Sequence, residues 1–198
     1  MQVRSKLAVG VAVLGIAGIG TVAIAHDRSR FSAGIDGYQE VVGDGVAGTL
    51  STDANGFFRA SLSRDGQTVR YVLRYAGPFN ANNSPGATVT QSHIHLGERA
   101  VNGGIIVFLC ANPPAGPPPT AGAPTPPTCP ATEGVVTGEL TAADVIGPSG
   151  QGITGGEFAE FVRALRAGAT YVNIHTTAFP GGEIRGQVSD DDDVRDDD

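Results

Sequence analysis

The sequence predicts an all-β domain, an antiparallel β-sandwich with one short helix near residues 156–167. Three observations lead there. Short β-branched and aromatic runs are punctuated by turn pairs such as Asn55-Gly56 and Asp65-Gly66, the pattern of consecutive antiparallel strands. Within "TVRYVLRYA", Val69, Tyr71, Leu73 and Tyr75 alternate with Arg70, Val72 and Arg74, as a half-buried strand requires. One segment alone carries helical periodicity: Phe158, Phe161, Val162 and Leu165 fall at i, i+3, i+4 and i+7, an apolar stripe for packing on a sheet.

The elements follow in chain order. "GVAGTLST" and "GFFRASLS" flank "DANG", which predicts a hairpin turning at Asn55-Gly56. A second turn at Asp65-Gly66 leads into the strand at Val69. Two more strands are expected near 89–96 and 104–110, with "GERAVNG" between them, and "GVVTGELT" supplies another. Thr154 is placed to cap the start of the helix and Gly168 to end it. The last strands are 170–177 and 182–188, joined by "AFPGG". About eight strands at this spacing suit a sandwich better than a small barrel.

The two ends read differently from the middle. Arg4 and Lys6 precede the apolar run "LAVGVAVLGIAGIGTVAIA", and Ala23-Ile24-Ala25 has the small-x-small form of a cleavage site. Residues 1–25 are therefore read as a secretory signal peptide; a retained membrane anchor is the alternative for the same run. Residues 26–33 read as a flexible arm, the domain as 34–188, and 189–198 as a disordered acidic tail. The tail contains "DDDDVRDDD", which repels itself and has nothing to bury. Cleavage removes the single lysine and leaves 11 arginines against 20 acidic residues. That balance excludes nucleic acid as a partner, and a lysine-free chain cannot carry Schiff-base or P-loop chemistry. After cleavage no membrane association is expected.

Cys110 and Cys129 form an even pair in a chain marked for export, which predicts a disulfide. It would close the proline-rich loop 111–128, worth on the order of 3 kcal/mol in a chain-entropy treatment. No G-x-S-x-G motif is present, and with the cysteines bridged no nucleophile stands out.

The residues that could carry chemistry are histidines. "SHIHLG" sends the side chains of His93 and His95 from one face of a strand, and His175 lies in "YVNIHT", where Tyr171 and Asn173 share its face. Three imidazoles are a ligand set that copper or zinc can use. The plainer reading makes these residues, with Asn173, Glu183 and Arg185, a structural polar framework held by buried hydrogen bonds. His26, at the new amino terminus after cleavage, could offer copper an imidazole and an amine, though nothing in "HDRSRFSAG" docks it near the others.

"SHIHLGERAVNGGIIVFLC", "GVVTGELTAADVIGPSGQGI" and "EFAEFVRALRAGATYVNIHTTAFPGGEIRGQV" resemble the CHRD domain first named from chordin, over about residues 34–188. The resemblance implies an extracellular, immunoglobulin-like β-sandwich and, for bacterial stand-alone members, no established activity. Its architecture is distantly similar to that of Cu/Zn superoxide dismutase, which also has an H-x-H strand. With one histidine beyond His93, His95 and His175, a two-metal site cannot be built from histidines. The leading expectation is a secreted, non-enzymatic module without cofactor or catalytic residues, with a structural or binding role toward an unknown extracellular protein or surface. The alternative is a mononuclear copper or zinc protein, carrier or redox enzyme, using His93, His95 and His175.

Overall fold

The alternation in "TVRYVLRYA" becomes β3 (Val69–Ala76): Val69, Tyr71, Leu73 and Tyr75 are buried while Arg70, Val72 and Arg74 face solvent. The computed structural model describes residues 29–43, 48–79, 86–113 and 124–191. The expected signal segment, His26, the centre of the proline-rich loop and most of the acidic tail lie outside these residues.

The other strands are β1 (Arg30–Asp36), β2 (Asn55–Leu62), β4 (Val89–Leu96), β5 (Ile105–Ala111), β6 (Glu133–Leu140), β7 (Thr170–Thr176), β8 (Ile184–Gln187) and the short β9 (Ser189–Asp190). They hydrogen-bond in the order β5-β4-β7-β8-β1-β2-β3-β6, with β9 beside β1, and every pairing is antiparallel. The sheet curls until its two edge strands approach. The Tyr71 hydroxyl, on β3, donates to the Leu109 carbonyl of β5 at 2.6 Å. Cys110 of β5 is bridged to Cys129, just ahead of β6, with a Cα–Cα distance of 5.1 Å. The facing layers are thus halves of one nearly closed sheet. Phe31, Phe58, Leu73, Ile94, Val172 and Ile174 fill the space between them, each large side chain worth about 1.5–3 kcal/mol on burial.

The helix, α1 (Phe158–Arg166), packs Phe158, Phe161, Val162 and Leu165 against that core. Thr154 does not cap it. The cap position is Glu157, whose carboxylate accepts the Thr154 backbone N–H at 2.6 Å. At the other end Gly168 takes φ +65°. The N–H groups of Gly168 and Ala169 then reach the carbonyls of Leu165 and Ala164, both at 3.1 Å, closing a Schellman turn.

Three boundaries differ from expectation. The segment read as an arm, 26–33, contains the first four residues of β1, whose Phe31 and Ala33, with Ile35 beyond the arm, enter the core; its alternation is brief and uses small residues. Asn55-Gly56 is not a hairpin turn but the start of β2, paired with Asp36 and Ile35. Gly56 is needed there because a Cβ would lie 2.9 Å from the Arg74 carbonyl oxygen. Residues 48–52, the described part of "GVAGTLST", form no strand. Ser189 and Asp190, read as tail, pair with β1 through Ser32 and Phe31.

Candidate metal centre

Register places the site. β4 pairs with β7 so that His93 opposes Asn173, His95 opposes Tyr171 and Gln91 opposes His175. Opposed residues in an antiparallel pair send their side chains to the same face. On the far side of β7, β8 sets Arg185 beside Asn173 and Gln187 beside Tyr171. Because Val172 and Ile174 point into the apolar core, these groups form a second layer on the outer face. That face is covered rather than wet: His93, His95, Tyr171, Asn173, His175 and Arg185 are all buried. The Glu40 side chain and the carbonyls of Glu98, Val101, Gly103 and Pro180 bond into it from the adjoining loops.

The three histidines converge, with one candidate ligand atom from each lying within 4.8 Å of the others. The His95 Nδ1 is 2.9 Å from the Gly103 carbonyl oxygen, and the His175 Nδ1 is 2.8 Å from that of Pro180. A carbonyl only accepts, so both rings carry their proton on Nδ1 and present an Nε2 lone pair. His93 Nδ1 lies 3.2 Å from His175 Nε2 and donates to it. The Nε2 atoms of His93 and His95 are buried and meet no hydrogen-bond partner. Two lone pairs therefore point into the interior without a donor, which is uncommon in a settled polar layer.

The walls are aromatic. Phe108 stands edge-on to His93 with ring centres 4.3 Å apart. Tyr171 stacks on His95 at 4.7 Å and 5° between planes. The Arg185 guanidinium carbon sits 3.4 Å from the centre of the Tyr171 ring. Its Nη2 donates to the carbonyls of Glu98 at 2.8 Å and Val101 at 2.9 Å, and its Nη1 to Asn102 Oδ1 at 3.2 Å. Arg185 thus ties the 98–102 loop across the layer.

Glu183 accepts from the hydroxyls of Thr52 at 2.9 Å and Thr176 at 2.7 Å, holding the turn that carries the Pro180 carbonyl. Asn173 donates to the Glu40 carboxylate and to the Ile184 carbonyl. Glu40 completes the layer without any signal in the sequence. It lies in a loop after a single 3-10 turn, where no periodicity marks it, yet it is 2 % exposed and belongs to the layer.

Burial governs the charge states. It pushes the His93 imidazole well below its ordinary range, with His175 and His95 adding to the effect. His95 is lowered to about 4, chiefly by burial and also by His175 and Arg185, against the Gly103 hydrogen bond. Burial lowers His175 as well. Neutral imidazoles are the form that binds metal. Burial raises Glu40, opposed by its bonds from Val41 N–H and Asn173 and by Arg185. A cleft of about 480 Å³ adjoins the layer through Glu40, Arg185 and Gln187, and none of the three histidines lines it.

A family model described as the CHRD domain matches residues 31–188. The chain belongs to the CHRD family. The match begins within β1, the strand that extends the domain beyond residue 34. No curated protein and no solved structure matches the chain. Within this CHRD domain the disulfide fits an oxidising compartment, and among the described residues no helix is long and apolar enough to cross a membrane.

Proposed function

We propose that this CHRD domain is a secreted β-sandwich module that binds one copper or zinc ion through His93, His95 and His175. The observation that carries this reading is the pair of buried, unpartnered Nε2 atoms of His93 and His95 beside a third imidazole. The rings are also oriented as metal ligands are: His95 and His175 each donate the other ring N–H to a backbone carbonyl, the arrangement that fixes tautomer and aim. The ion would be held by Nε2 of His95 and of His175 with one ring nitrogen of His93. It would supply a Lewis-acidic or redox-active centre. The chain's own contribution is to hold three neutral donors, exclude water from them and shield them with Phe108 and Tyr171.

The test is the metal content of the exported protein purified without a histidine tag, with thermal melts before and after adding Zn²⁺, Cu²⁺ or, under anaerobic reducing conditions, Cu(I). Near-stoichiometric metal, lost in His95→Ala, supports the reading; ligand at a hundredfold excess over its dissociation constant adds about 2.7 kcal/mol to stability. No metal and no shift in the melt would reject it.

One observation favours a second reading, a metal-free framework. The direct His93–His175 hydrogen bond ties β4 to β7 without any ion, and the module's role would then lie in contacts with an extracellular protein or surface. Chelation leaves such a framework's melt unchanged.

A further inference from the structure

We propose that the ion this site selects is cuprous copper, Cu(I), and that it discriminates against the dications Zn²⁺ and Cu²⁺. The inference rests on the metal reading above and specifies the charge and coordination number of that site.

The donor set is three neutral imidazoles and nothing else. Among the described residues no Asp, Glu or Cys joins the group, and Cys110 and Cys129 are consumed in the disulfide. The neighbouring carboxylates are committed elsewhere: Glu40 to Asn173 and the Val41 N–H, Glu183 to two threonine hydroxyls. The Gly103 and Pro180 carbonyls are occupied by the histidine Nδ1 protons. An ion entering here keeps its full charge. The desolvation penalty of a buried ion grows as the square of its charge, so a dication is penalised about fourfold more than a monocation.

A positive charge is already present. The Arg185 guanidinium lies over Tyr171, and Tyr171 lies against His95. Repulsion from that guanidinium is twice as large for a dication as for Cu(I).

Coordination number points the same way. Zinc takes four ligands, a water or substrate completing a three-residue site, and Cu²⁺ takes a tetragonal set. Phe108 and Tyr171 pack against the rings of His93 and His95, and the adjoining cleft stops at Arg185 and Glu40 without reaching a histidine. Zn²⁺ has the same filled d shell, but Cu(I), a softer ion of half the charge, is satisfied by three nitrogens. His93 could bind through Nδ1 only if its proton moved to Nε2; the 3.2 Å between Nδ1 and His175 Nε2 is then close to the ~3.5 Å separating two trigonal ligands that each sit about 2 Å from one ion.

The experiment is an anaerobic titration of the exported, untagged chain with Cu(I) against the chromophoric competitor bicinchoninate. Parallel competition titrations use Zn²⁺ and Cu²⁺. A His26→Ala background removes the imidazole of the amino-terminal arm. The expected result is one Cu(I) per chain, with both dications bound at least a hundredfold more weakly at these histidines. His95→Gln and His175→Gln should each weaken Cu(I) at least a hundredfold. If a variant fails to fold, imidazole ¹H–¹⁵N spectra of the otherwise unchanged chain decide, since diamagnetic Cu(I) should move the ring signals of His93, His95 and His175. One Zn²⁺ per chain, bound as tightly as Cu(I) and moving the same rings, overturns the cuprous assignment and leaves the metal reading standing. Binding of none of the three ions at these rings overturns both.

Discussion

His93 Nδ1 and His175 Nε2 face each other at 3.2 Å across two paired strands, although 82 residues separate them in sequence. That contact can be a hydrogen bond or one edge of a coordination polyhedron, but not both at once, because the lone pair of His175 that accepts the His93 proton is the one a metal would take. Metal-free protein should therefore be measurably weakened by His175→Ala. The substitution leaves the buried His93 N–H and the Pro180 carbonyl without partners, at about 1–3 kcal/mol for an unsatisfied buried group. Urea denaturation of chelator-treated protein measures it; a loss below ~0.5 kcal/mol would mean the contact contributes nothing to the framework.

The same histidines predict how stability depends on pH. Their folded-state pKa values lie below the ordinary 6.5, that of His95 at about 4. The unfolded chain then binds more protons than the folded one between those values, so stability is complete above about 6.5 and falls as pH drops toward 4. His95 alone contributes about 3 kcal/mol over that window. Glu40 acts in the opposite sense, since burial raises its carboxyl and its contribution is greatest in acid. Glu40 titrates in the folded state above its ordinary 4.5 and so overlaps the lower part of this window, but one carboxyl opposes three imidazoles, and the histidine loss should dominate from pH 6.5 to 5. Melts of metal-free protein across that range should show a monotonic decline, and His95→Gln should flatten it. A flat profile in the unaltered protein would contradict buried neutral imidazoles.

The sequence made part of this site legible because strand geometry is simple. An H-x-H spacing obliges His93 and His95 to share a face, and the alternation in "YVNIHT" separates Val172 and Ile174 from Tyr171, Asn173 and His175. Strand pairing cannot be read from one sequence, so whether His175 met the other two depended on β4 lying beside β7. Glu40 was invisible for a different reason: it reaches the layer from an irregular loop, where tertiary contacts alone decide burial. Ser32, Ala33 and Gly34 blur the alternation that would mark β1, and Asn55-Gly56 carries a turn signal because turn preference is local, whereas β2 needs a glycine against the Arg74 carbonyl.

Arg185 should resist even a conservative change. Its planar fork reaches two carbonyls and an amide oxygen while stacking on Tyr171. A lysine ammonium cannot meet that geometry and stack at once. Arg185→Lys is expected to cost about 2–3 kcal/mol, combining lost charged hydrogen bonds with lost ring contact. Hydrogen exchange should quicken at Gly103, whose N–H donates to the Tyr171 hydroxyl. Unchanged exchange there would show that Arg185 does not hold the loop.

The Cys110–Cys129 bridge spans 19 positions and pins the chain where the two edges of the curled sheet come together. Asn112 reinforces the same junction, donating to the carbonyls of Val89 and Cys129 and accepting the Cys129 N–H. Because these bonds survive reduction, the paired substitution Cys110→Ala/Cys129→Ala should lower stability by about 3 kcal/mol without dispersing the histidines. Denaturation curves give the first quantity; the imidazole NMR signals of His93, His95 and His175, and the stoichiometry of any metal they bind, give the second. Dispersal of those three signals on loss of the bridge would show that sheet closure itself shapes the site.

Gly103 gives the sharpest test of the cover. A Cβ on it would lie 1.6 Å from the Leu96 carbonyl oxygen and 2.7 Å from that residue's carbonyl carbon, so the loop cannot accept alanine without moving away from β4. Leu96 N–H also bonds the neighbouring Gly104 carbonyl at 2.9 Å, which leaves the backbone little room to adjust. Displacement withdraws the Gly103 carbonyl from His95 Nδ1 and releases the tautomer that aims Nε2 inward. Gly103→Ala is therefore expected to destabilise by about 2–4 kcal/mol, the range of overpacking with a lost buried bond. It should also raise the His95 pKa toward 6.5, as water reaches the ring. The ring can be followed by NMR titration: a His95 pKa still near 4 in a folded Gly103→Ala protein would show that β4 and β7, rather than the covering loop, keep this imidazole dry.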